Sequence, residues 1–153
     1  MKKNQDQDIS QKLSGFEAIC REKGLKLTHQ RLEIYRELLL AKDHPTVETL
    51  YQRVKKRIPT ISLDTVYRTL AMLEEADMIN RIQTSEGHAR FEPDYGVHHH
   101  LICRKCQNIT DFTWKAFDTM PPPPEIEQWG EVDVKNIVIE GICSDCLRKE
   151  EKK

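Results

Sequence analysis

Apolar positions in the first half of the chain recur at helical spacing. Leu13, Phe16, Ile19 and Cys20 share one face of a segment from about Ser10 to Lys23, and Gly24 supplies a stop. Leu32, Tyr35, Leu38 and Leu39 form a second stripe after Thr28, whose hydroxyl suits a helix N-cap. A third stripe, Val47, Leu50, Tyr51 and Val54, follows Pro45 and the capping residue Thr46. It ends at Ile58-Pro59, because a proline disfavours the helical conformation in the residue before it. The fourth, Leu63, Val66, Leu70 and Leu73, runs from a Ser62 cap to about Ala76. Beyond it the period shortens. Met78–Ile82 and His88–Glu92 read as two short strands joined by the turn-rich segment Gln83–Gly87. Further strand-rich stretches span Val97–Phe112 and Val132–Gly141, with Met120 and the proline run Pro121–Pro124 between them as a stiff extended connector.

Helices followed by a hairpin is the pattern of a winged helix-turn-helix. The breakers Pro93 and Gly96 place a boundary near Glu92–Val97. The expected layout is a polar disordered tail over 1–12, a winged-helix domain over 13–92, a hinge over 93–97 and a second domain over 98–153. The fold class is α+β. Domains below about 80 residues rarely build a sufficient core alone, so each calls for a metal or a partner chain.

Charge changes this picture little. The 153 residues carry a net charge of −1. Residues 1–93 are net +2 and the remainder net −3, too small an asymmetry to announce a nucleic-acid partner. No apolar run approaches the roughly 20 residues of a membrane span. The polar N-terminus lacks the apolar stretch of a secretory signal, so a cytoplasmic location is expected.

Chemistry concentrates in the second half. Four of the five cysteines form two C-x-x-C pairs, Cys103/Cys106 and Cys143/Cys146. In a reducing compartment such pairs point to metal rather than disulfide, and two of them complete a tetrahedral zinc site of four thiolates. Iron or a redox dithiol is the other reading. Cys20, on an apolar helix face, reads as core.

His98, His99 and His100 precede Cys103 on a strand, where side chains alternate, so His98 and His100 share a face and His99 points away. If Cys103 and Cys106 lie opposite each other in a hairpin, His98 falls across from Asp111. Two imidazoles and a carboxylate then converge, a donor set that accepts zinc, iron(II) or manganese(II). Glu92, beside the hinge, and His44, in His44-Pro45-Thr46, are further candidate ligands from the first domain. A metal drawing ligands from both sides would fix the domain angle. Against this, a histidine run also occurs as a solvated strand. His29 and His88 have no evident metal partners.

The fourth helix carries Thr65, Arg68, Thr69 and Met72 opposite its apolar stripe, a face suited to the major groove of double-stranded DNA. Tyr67 is placed to reach a phosphate. Arg53, Lys55, Lys56 and Arg57 form a basic cluster just before it, suited to backbone contacts, and Arg81 and Arg90 lie in the wing. The alternative is an ordinary amphipathic helix with a solvated polar face.

Several segments together resemble the ferric uptake regulator (Fur) family. They are Leu27-Thr28-His29-Gln30-Arg31, His44-Pro45-Thr46, Ser62-Leu63-Asp64-Thr65-Val66-Tyr67-Arg68-Thr69-Leu70, Ala89-Arg90-Phe91-Glu92, the run from His98 to Cys106, and Gly141-Ile142-Cys143-Ser144-Asp145-Cys146. The resemblance covers roughly residues 12–147. It implies an N-terminal winged helix, a C-terminal α/β dimerisation domain with a structural zinc held by the four paired cysteines, and a regulatory metal site of His44, Glu92, His98, His100 and Asp111. It further implies a homodimer that binds palindromic operator DNA and represses transcription. Asp111 and His44-Pro45-Thr46 look like the peroxide-sensing (PerR) branch, in which site-bound iron(II) reacts with peroxide and a ligand histidine is oxidised; His44 and His98 would be the sensitive ones. Glu92 looks like the iron-sensing branch. A second accessory site found in many iron sensors needs a histidine in the last strand, and none follows His100. The run Pro121–Pro124 departs from the helix usual there.

Two other function classes fit parts of the sequence. A non-haem iron or zinc enzyme would use the His/carboxylate cluster, but the chain has no HExxH, nucleophile elbow or phosphate loop. A zinc-ribbon interaction module would need neither Tyr67 nor Arg68. The regulator is the reading that uses all the motifs, and no enzymatic activity is expected.

Overall fold

A computed structural model describes residues 2–93 and 96–151. The chain divides into two compact units, Met1–Asp94 and Tyr95–Lys153.

The first unit contains α1 (Lys2–Glu22), α2 (His29–Leu40), α3 (Val47–Lys55), α4 (Leu63–Glu75), β1 (Ile79–Ile82) and β2 (Arg90–Pro93). The three capping residues read from the sequence all cap. Thr28, Thr46 and Ser62 accept from the backbone N–H of Arg31, Thr49 and Thr65. Each satisfies one of the amides a helix start leaves without an internal partner. Gly24, at φ +63°, ends α1, and Leu25 N–H returns to Cys20 O at 2.8 Å. Asp77, at φ +56°, ends α4 in the same way, with Met78 N–H on Leu73 O at 3.0 Å.

Phe16, Cys20, Ile34, Leu38, Leu50, Val54, Val66, Leu70 and Leu73 form the core where the four helices meet. Phe91 of β2 and Ile79 of β1 close it from the hairpin side. The hairpin is antiparallel, with Ile79 opposite Pro93 and Ile82 opposite Arg90.

Two expectations are corrected here. Residues 2–12, expected to lie in a disordered tail, are helical: α1 begins at Lys2. No glycine or proline interrupts it before Gly15, Lys12 pairs with Asp8 at i,i+4 (3.6 Å), and Ile9 joins the core. Leu63, assigned to the buried stripe of α4, is exposed because it sits in the first turn, ahead of the packed region.

The second unit contains β3 (His99–Cys103), β4 (Ile109–Phe112), α5 (Lys115–Thr119), α6 (Pro124–Trp129), β5 (Val138–Gly141) and α7 (Ser144–Glu151). Its sheet has the order β4-β3-β5, with β3 and β4 antiparallel and β3 and β5 parallel. The expected hairpin register is off by two residues. His100, not His98, lies opposite Asp111, and Ile102 lies opposite Ile109. The cause is the turn. Cys103 N–H bonds to Asn108 O (3.0 Å), and Gln107, at φ +60°, closes a four-residue loop on Cys103 O (2.8 Å). Cys106 is therefore in the loop, not across from Cys103. The proline run stays extended only to Pro123, after which Pro124 occupies the first turn of α6, where its missing N–H costs nothing. The sequence reading had no counterpart of α7.

Candidate metal centres and nucleic-acid face

The four paired cysteines come together. Cys103 ends β3, Cys106 lies in the following loop, Cys143 follows β5 and Cys146 is on the first turns of α7. One ligand atom from each lies within 4.8 Å of the others. Cys103 and Cys146 Sγ are 4.0 Å apart, and Cys106 and Cys143 Sγ are 3.7 Å apart. A tetrahedral zinc with Zn–S bonds of about 2.3 Å requires S···S edges of about 3.8 Å, so the donor set fits that ion. The parallel pairing that puts Cys103 beside Gly141 delivers the second pair to the first.

The thiols are unequal. Backbone N–H groups of Cys106 and Cys143 aim at the Cys103 sulfur and lower its pKa to about 6. Burial raises Cys146 to about 12. A cation at the centre stabilises all four thiolates.

A second chemistry is divided between the units. In the first, His44 and Glu92 are buried, with Nε2 and Oε2 3.0 Å apart. His44 sits in the loop between α2 and α3 at φ +47°, a backbone conformation uncommon for a residue with a side chain. Arg90 Nη1 donates to its carbonyl (2.9 Å), and Phe91 N–H donates to the next carbonyl, Pro45 O (3.1 Å). The loop is thus stitched to the strand that carries Glu92. In the second unit, His100 Nε2 is 3.6 Å and His98 Nε2 4.0 Å from Asp111 Oδ1. The rings of His98 and His100 are in edge contact. Despite the different register, both imidazoles lie within 4.0 Å of the same carboxylate oxygen. Nitrogen and oxygen donors of this kind suit iron(II), manganese(II) or zinc.

His99 does point away, into the interior. It is fully buried, its Nδ1 accepts from Ile137 N–H (3.2 Å), and its Nε2 lies 3.0 Å from Asp118 Oδ1. The middle histidine is thus a structural tie between β3, α5 and the approach to β5. Alternation alone gave its direction but not its partners.

The polar face of α4 is narrower than expected. Thr69 is buried, and its hydroxyl donates to Thr65 O at 2.7 Å. It is not on the presented face, because the helices packed around α4 cover Val66, Thr69, Leu70 and Leu73 together. Met72 also packs on the core. Thr65 is half-buried beside its cap, with Oγ1 2.8 Å from Ser62 Oγ. Of the α4 residues expected to contact DNA, Tyr67 and Arg68 are exposed. Arg68 Nε pairs with Asp64 Oδ2 (2.9 Å), and Tyr67 donates its hydroxyl to Glu48 Oε1 on α3 (2.9 Å).

The basic cluster is partly neutralised within the unit. Arg57 meets Glu33 (3.2 Å) and Glu37 (3.5 Å) of α2, and Arg53 forms a two-bond fork with Asp43. Lys55 lies over the Tyr51 ring. Lys56 is exposed. In the wing, Arg81 pairs with Glu74 (3.0 Å). His29 and His88 are exposed. Glu48 escaped the sequence reading because an acid near a helix start has an ordinary explanation in the helix dipole.

Comparison with known proteins places these features. A family model described as "Ferric uptake regulator family" matches residues 22–137. The peroxide-responsive repressor PerR of Staphylococcus epidermidis is 29% identical over 140 residues, covering 92% of this chain and 93% of that protein. The ferric uptake regulation protein of Campylobacter upsaliensis is 34% identical over 140 residues, with 90% of each covered. Among solved structures, the ferric uptake regulator Fur of Helicobacter pylori, described as having three functional metal binding sites, superposes with a TM-score of 0.74. It is 23% identical and covers 91% of this chain and 93% of that one, a likeness of fold.

Proposed function

Because this chain belongs to the ferric uptake regulator family, we propose that it is a metal-dependent transcriptional repressor that binds palindromic operator DNA as a homodimer in the cytoplasm. The observation that carries the reading is the pair of His/carboxylate sets, His44 with Glu92 and His98, His100 with Asp111, in a chain that also assembles four cysteine sulfurs. The cysteines hold a structural zinc. The five other residues ligate one regulatory iron(II) or manganese(II), with zinc able to substitute, and that metal favours the DNA-binding arrangement. Tyr67, Arg68 and Thr65 of α4 meet base edges, Tyr67 through its ring rather than by the phosphate contact expected from the sequence because its hydroxyl is on Glu48, while Lys56 and Arg57 meet phosphates. The role is regulation, not turnover. No helix among the described residues is long and apolar enough to cross a membrane.

Within the family, the His44 and Asp111 ligands support peroxide sensing, in which peroxide would supply the oxygen that oxidises His44 or His98 at an iron-loaded site, with release of the DNA. Glu92 favours a second reading, an iron- or zinc-responsive uptake regulator without peroxide chemistry. One experiment separates them. The zinc-loaded protein, with manganese(II) or with iron(II), is tested for retention of a selected duplex before and after a brief peroxide pulse, then analysed by mass spectrometry. Loss of binding in the iron form alone, with one oxygen gained on His44 or His98, establishes the sensor. Unchanged binding and intact histidines establish the plain metal regulator. Retention of no duplex with any metal overturns both.

A further inference from the structure

We infer that Glu48 is a specificity-determining residue that acts through Tyr67: it fixes the Tyr67 ring on the exposed face of α4 and withholds its hydroxyl from phosphate. The inference rests on the proposal that α4 reads DNA and concerns how selectively it does so.

A hydrogen bond holds the Glu48 carboxylate, donated by the Tyr67 hydroxyl at 2.9 Å. The nearby backbone N–H at the start of α3 and the Tyr67 hydroxyl favour the charged form, which keeps the carboxyl below its ordinary range. His88, on the turn of the hairpin, adds a favourable electrostatic contribution. The same contact keeps the Tyr67 phenol protonated, above its ordinary range. Glu48 is thus an ionised acceptor and Tyr67 its committed donor, an interaction of the stronger, charge-assisted kind.

Tyr67 needs such an anchor. Half its surface is exposed, and behind it lies a cavity of about 160 Å³ bordered by Val47, Leu70, His88, Ala89 and Phe91. That space leaves the ring without packing on one side. The hydrogen bond to Glu48 (2.9 Å) fixes the ring where packing does not. It also decides what Tyr67 offers. Its single O–H is spent on Glu48, leaving an acceptor oxygen and an apolar ring edge, neither of which attracts a phosphate. The carboxylate beside it repels the DNA backbone. Non-specific binding is almost entirely a phosphate interaction, so an acid at this position penalises backbone-only docking. Contacts made by the Tyr67 ring to base edges keep their value.

The test uses the full chain, loaded with zinc and manganese(II). Two duplex probes are measured at one salt concentration: a duplex enriched by wild-type protein from a pool with a randomised centre, and a scrambled duplex of equal length. The readout is the ratio of the two affinities. Glu48→Ala is expected to lower it by about tenfold, the scale of one hydrogen bond to a charged group. Glu48→Gln, which keeps an acceptor oxygen, restores affinity for the enriched duplex to within about threefold of wild type. Tyr67→Phe also lowers the ratio, by less than Glu48→Ala because the carboxylate stays to repel the backbone, and the double variant is no worse than Glu48→Ala, the mark of two residues acting as a unit. A Glu48→Ala ratio equal to wild type, a Glu48→Gln as defective as Glu48→Ala, or losses that add in the double variant would overturn the inference. Should Glu48→Ala fail to fold by circular dichroism, Tyr67→Phe decides alone, since it removes one exposed hydroxyl; an unchanged ratio then overturns it. Wild-type protein that retains neither duplex removes the DNA reading itself, which is a different failure.

Discussion

His44 Nε2 lies 3.0 Å from Glu92 Oε2, with both side chains buried. The loop that carries His44 is fastened to the strand that carries Glu92 through the Arg90–His44 O and Phe91–Pro45 O hydrogen bonds. The pair is therefore preset by backbone, and a cation arriving there has little ordering left to do. Replacing Glu92 by Gln keeps the shape and removes the charge. Manganese(II) affinity, followed by titration calorimetry on zinc-loaded protein, is expected to fall by at least the 10–100-fold typical of losing an outer ligand partner. An unchanged affinity would remove Glu92 from the ligand set. Zinc content should not change, because the cysteines are separate donors.

Much of the first unit could be read from its sequence because local and tertiary preferences agree there. Thr28, Thr46 and Ser62 are good caps and each is followed by an apolar stripe, so chemistry and packing give the same start. Thr69 was misjudged because a helical wheel gives direction, not the width of the buried arc. Surrounding α4 with other elements covers four positions per two turns and takes in Thr69, which then satisfies its hydroxyl on Thr65 O. In the second unit, the residue types of the metal ligands were legible but the register was not. Cys-x-x-Cys spacing says that two thiolates share an edge; it does not say that they face each other across strands. The left-handed Gln107 sets the loop length, and only geometry reveals it. Glu48 and the tie between His99 and Asp118 were invisible because their partners are 19 residues away in both cases.

The four-cysteine cluster makes the second unit depend on metal. Its sheet has three short strands, and many of its apolar side chains, including Val97, Leu101, Trp129 and Val134, remain exposed. A core that small needs a staple. Cys103→Ser removes a ligand joined by backbone N–H groups to both other arms of the site. Expected are loss of bound zinc by elemental analysis and loss of cooperative unfolding for this unit, reproduced in wild type by a strong chelator. Cys20→Ser, in the helical core, should leave zinc content unchanged. Full zinc retention by Cys103→Ser would overturn the assignment.

Acid should weaken the loop that presents His44. The Arg53 fork holds the Asp43 carboxyl below its ordinary value of 3.8, against the opposing effect of burial. A carboxyl whose folded pKa is depressed contributes stability above its unfolded pKa and loses it as pH falls through the folded one. Asp43→Asn is therefore expected to flatten the stability curve below about pH 4. At pH 7 it should cost no more than about 1 kcal/mol, since the pair is half exposed and screened. Urea midpoints measured across pH 3 to 7 on both proteins, with pH steps of about one unit, check this. Parallel curves for the two would show that Asp43 carries no such linkage.

Lys56 and Arg57 are neighbours with the same charge, yet they should differ in what they do for DNA. Arg57 already meets Glu33 and Glu37, so moving it to a phosphate means giving up contacts to two carboxylates. Lys56 is exposed at the C-terminal cap of α3, and among the described residues it has no ion-pair partner. A cation that neutralises one phosphate adds about one to the slope of log affinity against log salt. Lys56→Ala is expected to reduce that slope by about one, equally for enriched and scrambled duplexes. Arg57→Ala should reduce it by less, while loosening the contact between α2 and the end of α3. Fluorescence anisotropy over a salt series, with thermal unfolding of each variant, distinguishes the two. A full unit of slope lost with Arg57→Ala and none with Lys56→Ala would mean that DNA draws Arg57 away from its carboxylates, and that the ion pairs around it belong to the unbound state alone.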